Sequence, residues 1–175
     1  MVRGRDETSF DAVDLFVEQW RQNRPDLDVS HLQVLGRLHR CFARYQRLIG
    51  DLLEEFDLSV AAFDVLTALR RSGAPYKRTV GELARYTLVT TGGITLRVDK
   101  LEQVGLVARE RDSADGRIVH VALTDKGREL VDKVVDAHAE NGQQLLADLA
   151  QSERTELSRL LARLESSLVR AENQP

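Results

Sequence analysis

The strongest constraint on this chain is an ordered run of local signals between residues 58 and 123. LSVAAFDVLTALRRSG, residues 58–73, is apolar nearly all round and must be buried, with Ser59 placed to cap its start and Gly73 its end. VGELARYTLVTTGGITLRVDKLEQVGL then carries two shorter helical patterns, about 80–86 and 91–104, joined by a tight turn. LVARER and RIVHVAL alternate between apolar and polar residues and flank DSADG, which predicts a two-stranded hairpin.

On either side of this run the chain is helical. Residues 1–9 read as a disordered tail. Phe10, Val13, Val17 and Trp20 recur at helical spacing until Pro25, and Ser30 is a candidate cap for a long helix over 32–56. The stripe of that helix is Leu35, Leu38, Phe42, Tyr45, Ile49, Leu52 and Leu53. Two more helices, about 124–149 and 152–170, carry apolar stripes with too little of their own chain to cover them. The expected fold is mainly α with a small β-hairpin wing. Residues 58–123 form a winged helix-turn-helix lobe, and residues 10–57 and 124–175 form a helical dimerisation lobe from both chain ends.

Composition narrows the class. No apolar run approaches the roughly 18 to 20 residues that span a bilayer, and the N-terminus lacks the apolar core of a signal peptide, so a cytoplasmic protein with no membrane partner is expected. The net charge of −3 is unevenly placed: residues 76–128 hold ten Lys or Arg against seven acids, a net +3, which leaves −6 elsewhere. A modestly basic module on an acidic scaffold orients on a polyanion.

Thr90, Thr91, Gly92, Gly93 and Thr95 supply small side chains and hydroxyls at the start of the helix expected to enter the major groove. The succession ELARYTLVTTGGIT, RVDKLEQVGLV, DGR and VALT then resembles the MarR family of bacterial transcription regulators over about residues 32–170. The resemblance implies a homodimer on palindromic double-stranded DNA, acting as a repressor. It also implies a wing in which Arg117 enters the minor groove and Asp115 braces it. Leu96 departs from the pattern, because relatives carry a polar residue there.

Arg97 poses a separate problem. With Ile94 at zero and about 100° per residue, Arg97 falls near 300°, bordering the buried arc of Ile94, Val98 and Leu101. Asp64 interrupts VAAFDVLTAL, a helical stretch otherwise free of charge, and both groups need partners. An ordinary structural ion pair is one reading. Together with Trp20 in FVEQWRQ and Arg109 in GLVARERD, the two residues resemble the ligand-site quartet of the urate-responsive, HucR/PecS-type branch of that family. The resemblance implies a crevice lined by Trp20, Asp64, Arg97 and Arg109 for a small anionic aromatic ligand: urate, xanthine or hypoxanthine. The chemistry agrees, with an indole to stack on, two forked donors for ring oxygens and a carboxylate to accept from a ring N–H.

No catalytic or metal-binding spacing involves His31, His39, His120 or His138, so neither an enzyme nor a cofactor is expected. Two alternatives stay open. One is a MarR-type regulator that senses oxidant through Cys41, the single cysteine, or an unrelated phenolic ligand. The other, of a different class, is a winged-helix protein-interaction module without DNA binding.

Overall fold

The computed structural model describes residues 10–87 and 93–174, which fall into two compact units, one ending at Asp57 and one starting at Leu58. Thr90, Thr91 and Gly92 lie outside the described residues.

In the first unit, α1 (Ala12–Asn23) packs on α2 (Leu32–Glu54). Asp11 caps α1 by accepting the N–H groups of Val13 at 2.7 Å and Asp14 at 3.1 Å, while the Asp14 carboxylate takes the Asp11 N–H at 3.0 Å. Arg37 of α2 closes this box with bonds of 3.0 Å to Asp11 and 2.8 Å to Asp14. Val13, Val17 and Val29 are buried against Leu32. Ser30 does not cap α2 as its sequence position predicts. Its amide is bound by Asp28 at 2.9 Å and its side chain also serves Asp28, so His31 stands at the N-cap with no side-chain bond.

The second unit runs α3 (Val60–Arg71), β1 (Lys77–Thr79), α4 (Val80–Tyr86), α5 (Ile94–Gln103), β2 (Val107–Arg111), β3 (Val119–Leu123), α6 (Asp125–Leu145) and α7 (Gln151–Glu172). Ser59 caps α3 by accepting the Ala62 N–H. Largely apolar patterning buries α3, with Val65, Leu66 and Leu69 at 0% exposure among Leu83, Ile94, Val98, Leu101, Val107 and Val121. Sequence reasoning missed β1, which pairs antiparallel with β3 and widens the hairpin to a three-stranded sheet, β1-β3-β2. Thr79 ends β1 and caps α4, in a reciprocal box with Glu82.

Thr124 joins wing to α6: its hydroxyl donates to the Gly105 carbonyl at 2.8 Å and accepts the Gly127 N–H at 3.0 Å. Gly127 is there for space, because a Cβ at this position would stand 1.9 Å from the Leu106 carbonyl oxygen. α6 packs on α3 and β3, burying Val131 and Val134. Among the described residues none of α7 is buried: Leu157, Leu160, Leu161 and Leu168 are exposed, as are Leu35, Phe42, Tyr45 and Leu48 of α2. No helix among the described residues is long and apolar enough to cross a membrane.

Candidate nucleic-acid interface and ligand site

α5 begins at Ile94, three residues later than its periodicity predicts, because Gly93 occupies the N-cap at φ 113° and ψ 0°. That conformation favours glycine, and an added Cβ would meet nothing within 4 Å, so here the backbone angle rather than space selects the residue. Ile94, Val98 and Leu101 face inward, while Thr95 and Leu96 are exposed on the first turn, Leu96 at 60%.

The wing tip is held by carboxylates. Asp112 accepts the N–H groups of Ala114 at 2.8 Å and Asp115 at 3.0 Å and contacts His120 Nε2 at 3.1 Å, which together hold its carboxyl down to about 2. Asp115 accepts the backbone N–H of Arg117 at 3.0 Å. Its bracing therefore reaches the Arg117 backbone, and the exposed Arg117 guanidinium makes no hydrogen bond or ion pair among the described residues. The contact between Asp112 and His120 is not legible in the sequence, where a turn aspartate and a strand histidine carry no shared pattern.

Behind α5 the two charges singled out by the sequence have no hydrogen-bond or ion-pair partner for their side chains among the described residues. Asp64 on α3 has Oδ2 buried with no hydrogen-bond partner, and Arg97 on α5 has Nη1 in the same condition. Burial pushes the Asp64 carboxyl up, and the fields of Arg97 and Arg71 pull it back. The two residues are thus close enough to feel each other, yet they form no ion pair, contrary to the plain structural reading.

Arg71 is the further cation that the sequence reading missed. Its Nε donates to Thr67 O at 3.2 Å and its Nη2 to Tyr86 O at 3.1 Å, tying α3 to the end of α4. The adjacent Arg70 turns the other way, to Asp132 of α6 at 2.5 Å, over the Tyr76 ring. Asp64 also lines a cleft of about 730 Å³ between α3 and α6, with Phe63, Thr67, Arg71, Val135 and His138 among its walls.

Arg109 on β2 is already engaged. Its guanidinium binds Asp99 at 2.5 Å and Glu102, both on α5, and its backbone N–H donates to Glu102 at 3.0 Å. Arg97 therefore lies on α5 and Arg109 is tied to it. Trp20 belongs to the first unit, where it is 47% exposed beside Phe16, Gln19 and Asn23. Cys41 is exposed on α2, and no three acids, histidines or cysteines among the described residues are grouped to hold a metal.

The winged-helix fold has known relatives. Residues 56–118 match the family model described as MarR family. Over 153 residues the chain is 38% identical to the HTH-type transcriptional regulator PecS of Dickeya dadantii (strain 3937), covering 87% of this chain and 92% of the relative. Among solved structures it is similar to Bordetella bronchiseptica BpsR, described as regulated in DNA binding by 6-hydroxynicotinic acid, with 28% identity and a TM-score of 0.66 over 79% of this chain and 93% of that one. The regulator BldR of Sulfolobus solfataricus superposes with a TM-score of 0.63 at 30% identity, over 81% of this chain and 96% of that one. These relatives are transcriptional regulators, not enzymes.

Proposed function

The chain belongs to the MarR family of winged-helix transcriptional regulators, and from that premise we propose that it is a cytoplasmic homodimeric repressor of a palindromic operator, released by urate or a related purine such as xanthine or hypoxanthine. Thr95 with Thr90, Thr91 and Gly92 would face the major groove, and Arg117 would reach the minor groove from a wing braced by Asp115 and Asp112. Leu96 offers an apolar contact to a thymine methyl in place of a polar base contact.

One observation carries the ligand reading. Asp64 Oδ2 and Arg97 Nη1 are buried without partners, on two packed helices, one of which is the helix that presents Thr95. Each such group costs free energy that a ligand supplying a ring N–H and a ring oxygen would recover. Arg109 spends one N–H of each Nη on Glu102 and Asp99, so a ligand would share a guanidinium already tied to α5 through its remaining donors. A ligand that draws on Arg97 and Arg109 therefore acts on α5 twice, once on the helix itself and once through its ties to β2. The linkage that follows is reciprocal: whatever the ligand takes from operator affinity, the operator takes from ligand affinity.

Trp20 is the only tryptophan and supplies the direct test. Xanthine and urate are titrated against its selectively excited fluorescence, in the wild type and in Arg97→Ala. A saturable change in the wild type that is lost in Arg97→Ala is expected. A second reading has support of its own, because BpsR is described as responding to 6-hydroxynicotinic acid, also a small anionic heteroaromatic. If 6-hydroxynicotinate changes the signal and the purines do not, the site takes a monocyclic carboxylate and the purine assignment falls.

A further inference from the structure

The first unit carries a basic surface of its own, built from residues that neither the winged-helix segment nor the Asp64–Arg97 pair includes. Arg40, Arg44 and Arg47 follow one another on α2 at spacings of four and three residues, so their guanidiniums share one face over about 10 Å of helix. Like charges at this spacing destabilise a helix unless something neutralises them. Nothing described does. The unit is acidic overall, with nine Asp or Glu against six Arg in residues 10–57, yet its other arginines are matched: Arg37 to Asp11 and Asp14, Arg24 to Asp26, and Arg21 in the field of Asp28. Among the described residues Arg40, Arg44 and Arg47 form no ion pair, and Asp51, one turn beyond Arg47, does not reach it.

These arginines line a groove of about 500 Å³ with Phe16, His39 and Ala43. Phe16 of α1 is the aromatic ring that borders the basic stripe, and it also lines the neighbouring depression that holds Trp20. The groove is also placed to stay open. With Leu35 at zero, the apolar stripe of Leu38, Phe42 and Tyr45 lies at about 280–340°, whereas Arg40, Arg44 and Arg47 lie at about 120–180°. Covering the apolar stripe in a dimer leaves the arginine face on the opposite side.

We propose that this groove is a separate binding site for a nucleoside di- or triphosphate, with the base against Phe16 and the phosphate chain along Arg40, Arg44 and Arg47. Guanidiniums match phosphate oxygens by forked hydrogen bonds, and aromatic faces accept any base. A stripe of three cations suits linked phosphoryl groups better than a single one.

Calorimetric titration of the full chain with GTP, inorganic tripolyphosphate and inorganic phosphate, at about 0.1 M salt, tests the site. GTP and tripolyphosphate are expected to compete for one saturable site per chain, and inorganic phosphate to bind at least tenfold more weakly. Arg44→Ala/Arg47→Ala, checked for unchanged helical circular dichroism, should weaken both ligands tenfold or more and leave the xanthine response intact. Phe16→Ala should weaken GTP and spare tripolyphosphate. Absence of saturable GTP binding, or GTP binding undiminished in the double variant, overturns the proposal. So does equal binding of an acidic peptide, which would make the groove a protein-docking surface.

Discussion

At the level of single residues, the account rests on groups that are left unsatisfied or unusually constrained. Asp64 is the clearest. Burial raises its carboxyl above 3.8, so the stability it contributes is present below that value and is lost as pH rises through its folded value. At pH 7 the charged form is therefore a burden, and Asp64→Asn should raise the melting temperature at pH 7 but not at pH 3, while abolishing the ligand response. Equal melting temperatures at pH 7 with the response intact would remove Asp64 from the site. Gly127 makes a purely steric prediction. With the Leu106 carbonyl oxygen 1.9 Å from where its Cβ would stand, Gly127→Ala must displace backbone at the junction of wing and α6. Urea unfolding should show a loss of about 3 kcal/mol; a loss below about 1 kcal/mol would mean that the junction is not tightly packed.

At the level of elements, the wing is a short hairpin whose tip is organised by two aspartates. Asp112 has its carboxyl at about 2, below its unfolded value, so its contribution is present above pH 3.8 and lost as pH falls through about 2. An NMR titration should give Asp112 a midpoint near 2, with the amides of Ala114 and Asp115 moving in step; a midpoint near 4 would mean that the tip is open in solution. The elements also show what a sequence makes legible. α3 and the hairpin are readable because each combines periodicity with a local boundary signal, Ser59 and Gly73 for the helix and DSADG for the turn, whereas the Thr79 cap of α4 becomes evident only in the structure. β1 is not readable, because the three residues KRT have no room for alternation and owe their conformation to pairing with β3. Periodicity places the start of α5 three residues early because it does not register that Gly93 has a positive φ. Asp64 and Arg97 stood out as charges on apolar faces, but that they do not pair with each other depends on tertiary distances. Likewise, the spacing of Arg109 from Asp99 and Glu102, across a turn from helix to strand, shows no contact until β2 folds back along α5.

At the level of the whole molecule, the exposed leucines of α7 and the apolar stripe of α2 are the surfaces that the proposed homodimer would cover. Leu160→Glu should give monomers at micromolar concentration by sedimentation and weaken operator binding on the order of 100-fold, since two half-sites can no longer be held together. A monomer that keeps full operator affinity would contradict the two-fold arrangement. Net charge is −3, so the local +3 of residues 76–128 must do the electrostatic work, and log affinity should fall linearly with log salt. The central claim is that α5 carries both functions, presenting Thr95 to DNA while Arg97 answers to the ligand. It is tested most directly by the fluorescence anisotropy of labelled operator DNA titrated with protein, with and without saturating xanthine, for the wild type and Arg97→Ala. The account predicts that xanthine weakens operator binding tenfold or more in the wild type and leaves it unchanged in Arg97→Ala, whose ligand-free affinity stays close to wild type. An equal xanthine effect in both proteins would contradict it.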